Sequence, residues 1–173
     1  MKLTTLHKIF GNQTTGETQG IVIRHKSGIR FFTGKESETD PAHELKYPLF
    51  YLAPISVVKK VQEANYINTW NIVCELIDIL PQDRDTERVN ELLDRLYRIM
   101  EDLLLEFSIN YSYGKSITFN NFTETLYFNI GDISIIPVID TKEANLTGWQ
   151  ASFAITEQIN PNDVVCCLDE NFT

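Results

Sequence analysis

Apolar positions recur at helical spacing twice along this chain. Leu3, Leu6, Ile9 and Phe10 line one side of a short stretch that closes at Gly11-Asn12, and they predict an amphipathic N-terminal helix. A longer stripe of Val89, Leu92, Leu93, Leu96, Ile99, Met100, Leu103 and Phe107 predicts a second helix over 86–107. Asp83 or Asp85 stands where that helix needs a cap, and Glu87 suits the positive end of its dipole. Glu91 with Arg95 and Asp94 with Arg98 are spaced i,i+4 on the polar side. Such pairs contribute only tenths of a kcal/mol each, so the apolar stripe holds the helix.

Elsewhere the period is two, or the run is wholly apolar. Ile21 to His25 reads as a strand, Lys26-Ser27-Gly28 as a turn, and Ile29 to Phe32 as the returning strand of a hairpin. Residues 34–46 are charged and contain Pro41, which predicts an exposed loop. Tyr47 to Pro54 is an aromatic-rich apolar run bracketed by prolines, the pattern of a buried strand ending at or near each proline. Over 67–79, Trp70, Ile72, Cys74 and Leu76 share one face, while Thr69, Asn71, Val73, Glu75 and Ile77 share a mixed one. Ile117 to Phe128 alternates, with Phe122, Leu126 and Phe128 on one side. Pro137 consigns the strand at 133–139 to an edge or a bulge. The strand at 148–156 turns Trp149, Ala151, Phe153 and Ile155 inward and Gln150, Ser152 and Thr156 outward.

Strands on both sides of one long helix predict the α+β class: a mainly antiparallel sheet packed on one long helix, with a short N-terminal helix. Residues 1–160 form a single domain with an exposed loop at 34–46, and 161–173 form an extended C-terminal tail. In that tail Val164, Val165, Leu168 and Phe172 have no evident slot within the chain, so contact with another subunit is expected.

Composition narrows the function. The 173 residues are 43% hydrophobic and 23% charged, which is enough for a real core and argues against wholesale disorder. A net charge of −9 repels phosphate and disfavours non-specific nucleic-acid binding. No apolar stretch approaches the length that a bilayer requires, and the first residues do not form a signal peptide, so no membrane partner is expected. Cys74 falls on an apolar strand and reads as a buried thiol, whereas adjacent Cys166 and Cys167 point to opposite faces of an extended chain. All three are expected to stay reduced.

Candidate chemistry is sparse. The chain contains none of the Gly-rich phosphate loops and no nucleophile-elbow motif. His7, His25 and His43 have no second ligand at metal spacing on a regular element, and His43, near Asp40 and Glu44, reads as part of a solvated loop. Glu75 and Asp78 fall on opposite strand faces and cannot work as an acid–base pair. Glu101 and Asp102 face water beside the helix stripe. Asp83, Asp85 and Glu87 lack the glycine and terminal glutamate of a calcium loop and suit a helix start. Trp70 and Trp149 read as core or interface anchors. The expectation is therefore a protein that is not an enzyme, with no catalytic residue, metal ligand or cofactor.

The order of a short helix, a hairpin, the Tyr47-Pro48-Leu49-Phe50-Tyr51-Leu52 strand, a long strand, an amphipathic helix and a final strand opened by Asn145-Leu146-Thr147-Gly148-Trp149 resembles a known family. It is similar to the tail-terminator or tail-completion proteins of tailed bacteriophages and to the related head–tail neck rings, with a flavour of the short-tailed, crAss-like phages. The resemblance spans about residues 1 to 156. It implies a structural virion protein, made in the host cytoplasm, that forms a six- or twelve-fold homo-oligomeric ring. Neighbouring neck or tail rings, and the portal, would be its partners. DNA would pass through the lumen without specific binding, which an acidic wall favours. The competing expectation is a soluble, non-catalytic binding or adaptor domain acting through an acidic surface.

Overall fold

The computed structural model describes residues 3–13, 19–33, 46–62, 65–83, 85–111, 114–119, 122–126, 128–138 and 145–159. The expected loop at 34–46, apart from Lys46, and the expected tail lie outside them, as do His43, Cys166 and Cys167.

Two long antiparallel strands form the middle of the sheet. We number elements in chain order, and these are β4 (Asn65–Ile79) and β9 (Leu146–Ile159), paired without interruption from Tyr66 opposite Ile159 to Ile79 opposite Leu146. On the far side of β4 two shorter strands share its length. β2 (Leu49–Leu52) pairs with Cys74 to Ile77, and β3 (Ser56–Gln62) pairs with Asn65 to Asn71. β1 (Arg30–Thr33) lies beyond β2 in the sheet's one parallel pairing among the described residues. On the far side of β9, β8 (Ser134–Val138) and β7 (Phe128–Ile130) divide the length in the same way. β5 (Ser116–Phe119) and β6 (Phe122–Thr125) make a separate small hairpin. The α+β class is therefore as expected: a seven-stranded, mainly antiparallel sheet with one long helix and a short N-terminal one.

The long helix α3 (Thr86–Asn110) starts where the sequence places it. Asp85 is the cap, its carboxylate accepting the Glu87 N–H at 2.8 Å. Its stripe is buried at Leu96, Ile99, Met100, Leu103 and Phe107, and Leu104 joins it. This side packs on the sheet face of Trp70, Ile72, Cys74 and Leu76 from β4 and of Ala151, Phe153 and Ile155 from β9. The N-terminal helix α1 (Leu3–Gly11) completes the layer. Phe10 sits between Phe107 of α3 and Phe50 of β2, with ring centroids 5.0 and 5.6 Å apart. On the other face, among the described residues, a smaller cluster forms, with Leu49, Ile77 and Leu146 against Phe32 and Tyr47.

Three expectations are corrected. Residues 21–25 do not form a strand: Ile21–Arg24 is a one-turn helix, α2, closed by the Arg24 N–H on the Gly20 carbonyl at 3.1 Å. Ile21 and Val22 are both fully buried, an adjacent pair that a half-covered strand would split between its faces. The hairpin over 21–32 is consequently absent, and β1 pairs with β2 instead. The stretch 117–128 is broken into β5, β6 and the start of β7. β3 is a strand that the sequence analysis left unassigned: Ser-Val-Val-Lys-Lys-Val-Gln has three β-branched valines but does not alternate, and it pairs with β4 along its length.

Truncating Leu96, which has no exposed surface, removes a methyl-rich group from the centre of this layer. Leu96→Ala is expected to lose about 2–5 kcal/mol in denaturant unfolding, and a wild-type midpoint would refute the packing.

Candidate assembly surface

The end of the sheet carrying β3 is built differently from the core. From Ser56 to Val61 every residue is exposed, with Val57, Val58 and Val61 at 39%, 45% and 69%. Directly paired residues share a sheet face, so Val57, opposite Trp70, and Val61 lie on the helix side, and Val58 lies on the other. Lys59 and Lys60 stand between them. Among the described residues β3 pairs with β4 alone, so its outer edge offers a row of backbone donors and acceptors.

The remaining edges are better guarded. β8 carries Pro137, which has no N–H to give, and so meets the expectation of an edge position. Its Ile136 is nonetheless 51% exposed. β7 has three residues and β1 four, beginning at exposed Arg30. On α3 the solvent side is mainly acidic. Glu87, Glu91, Asp94, Glu101 and Asp102 are exposed there against Arg88, Arg95 and Arg98, and near its end Leu105 and Ile109 add an exposed apolar pair.

The titratable groups singled out in the sequence take structural positions. Arg95 turns away from the expected Glu91 pairing and binds Asp78 of β4 at 2.8 Å, tying helix to strand; Arg88 binds Asp83 at 2.7 Å. Burial pushes the Asp78 carboxyl above its ordinary range, despite the Ile79 N–H and Arg95, which pull it down. Glu75 and Asp78 do lie on opposite faces of β4. His25 sits 3.9 Å from Asp102, beyond hydrogen-bond reach, in a shallow groove of about 480 Å³ lined by Lys26, Glu91, Arg95 and Arg98 among others. Its mixed charges favour no single ligand. His7 is half-buried on α1, where burial lowers its pKa. Among the described residues no group of three His, Cys, Asp or Glu could hold a metal ion.

Both tryptophans are anchors, as expected. Trp149 donates its Nε1–H to the Leu93 carbonyl at 2.8 Å and meets Tyr97 edge-on. Trp70 is 8% exposed, and its Nε1 has no acceptor among the described residues. The Asn145–Trp149 motif works as a joint. Asn145 has φ +50° and accepts the Leu80 N–H; the Thr147 hydroxyl donates to the Val138 carbonyl. At Gly148 an added Cβ would fall 2.0 Å from the Leu76 carbonyl oxygen, so only glycine fits.

No helix among the described residues is long and apolar enough to cross a membrane. No family model matches the chain, and no curated protein matches its sequence.

Two measurements check these assignments. Asp78 has a folded pKa above its unfolded value, so the native state holds its proton more tightly. Its contribution to stability is therefore lost as pH rises from about 3.8 through the raised value. The stability difference, wild type minus Asp78→Asn, is expected to shrink as pH rises across that window; a growing difference would reverse the assignment. The Cys74 thiol, fully buried and pushed up to about 12, is expected to resist alkylation in the native protein and to react once it is denatured.

Proposed function

We propose that this chain is a non-catalytic structural subunit that closes into a ring, of the kind found at the head–tail junction of a tailed bacteriophage. The supporting observation is the β3 edge. A protein with a well-filled core leaves a six-residue strip with three exposed valines and an open backbone edge, a surface that another chain's strand can complete. A contact in which this edge meets a different part of the next copy is heterologous, and such head-to-tail contacts generate rings when the rotation closes. The net charge of −9 suits a lumen through which DNA slides without sticking.

The acidic outer side of α3 supports a second reading, an adaptor that masks a basic partner. Native mass spectrometry and negative-stain microscopy separate the two. The ring reading expects one closed oligomer of fixed subunit number. A monomer at every concentration, with and without the neighbouring virion proteins, would leave the adaptor reading in its place.

A further inference from the structure

Two copies of β3 make poor partners for each other. About a two-fold axis at the strand centre, Lys59 faces Lys59 and Lys60 faces Val58, and like charges directly opposite each other destabilise a sheet. The other edges suit it little better. β1 begins with a further cation, Arg30; β8 lacks a donor at Pro137; and β7 is short. The occupant that β3 calls for is extended, apolar on both faces, uncharged or acidic at Lys59 and acidic at Lys60.

The chain contains such a segment: Asp163-Val164-Val165-Cys166-Cys167-Leu168-Asp169-Glu170. As a strand it sets Val164, Cys166 and Leu168 on one face and Val165 and Cys167 on the other, between acidic ends. We propose that this C-terminal segment of a second copy adds to the β3 edge as an antiparallel strand. In the register that sets Asp163 opposite Lys60, Val165 faces Val58 and Cys166 faces Val57, while Val164 lies opposite Lys59; one opposite-charge pair and two apolar pairs replace the Lys59–Lys59 repulsion of a β3–β3 contact. The strand contributes backbone hydrogen bonds to the open edge, and the alternating side chains and the Asp–Lys pair set the register.

The topology favours a neighbour's segment over the chain's own. β3 and β9 are both antiparallel to β4 and so run in the same direction. β9 ends at Ile159, opposite Tyr66, and Val61 of β3 is Tyr66's other partner. The free side of β3 is thus three strand spacings from β9, about 14 Å, and a chain crossing that distance would then have to reverse. A neighbour's segment needs no such path. Repeated from copy to copy, this heterologous contact links subunits head to tail, so the inference rests on the ring reading for its occupant.

Native Cys166 and Cys167 make the contact testable by disulfide trapping, since Cys74 is buried. Val57→Cys and Val58→Cys are made separately, because opposed residues alternate between close and wide pairs along an antiparallel ladder. Each full-length protein is oxidised mildly beside the wild type, then resolved without reductant and mapped by mass spectrometry. The expected result is a ladder of covalent oligomers above the wild-type background, joined between position 57 or 58 and Cys166 or Cys167, and lost with Lys59→Glu/Lys60→Glu. A disulfide within one chain would overturn the proposal by assigning the edge to the chain's own tail. No disulfide from either variant would overturn it outright. Particle size is read on the same samples: a closed oligomer without the disulfide leaves the ring reading standing and removes only this contact, whereas monomers throughout remove the ring reading.

Discussion

The uninterrupted ladder between β4 and β9 is the constraint on which the rest of this molecule depends. From Tyr66 to Ile79 every residue has a partner on β9, so both strands are fixed in one register along their whole length. A slip of one residue would turn Trp70, Ile72, Cys74 and Leu76 away from α3 and bring Glu75 and Val73 into the core. Every other strand of the large sheet but β1 pairs directly with one of these two, and β1 pairs with β2.

Helix and sheet are joined at two places with different chemistry. At the β4 end, Asp78 gives up hydration to meet Arg95. At the start of β9, Gly148 lets the backbone approach Leu76, and Trp149 beside it reaches across to the Leu93 carbonyl. The short motif that suggested a phage family thus has a complete local explanation in packing, because each of its polar or small residues answers a contact. That account does not depend on any partner.

Burial and exposure are divided along the same two strands. The helix covers the part of the sheet around Cys74 and Ala151, while at the other end of β4 the β3–β4 hairpin runs on with valines and lysines in solvent. Core stability and edge chemistry are therefore separable, and a change at Val57 or Lys60 touches little of what holds α3 in place.

The elements whose evidence is local were legible in the residues. The stripe from Leu92 to Phe107 and the Asp85 cap placed α3; the alternation around Trp70 and around Phe153 gave the inward faces of β4 and β9; Pro137 put β8 at an edge. Helical and strand periods repeat within a few residues, so a short window suffices to read them. What depended on partners distant in sequence was decided only in three dimensions. Ile21 to Arg24 has a strand's residues but is a helical turn, because α1 and α3 leave room to bury adjacent Ile21 and Val22. β3 exists through its pairing with β4, and Arg95 chose Asp78, remote in sequence, over Glu91 one turn away. The candidate surface was hidden for the same reason: an edge is defined by which strands are missing beside it, and no window of sequence contains that information.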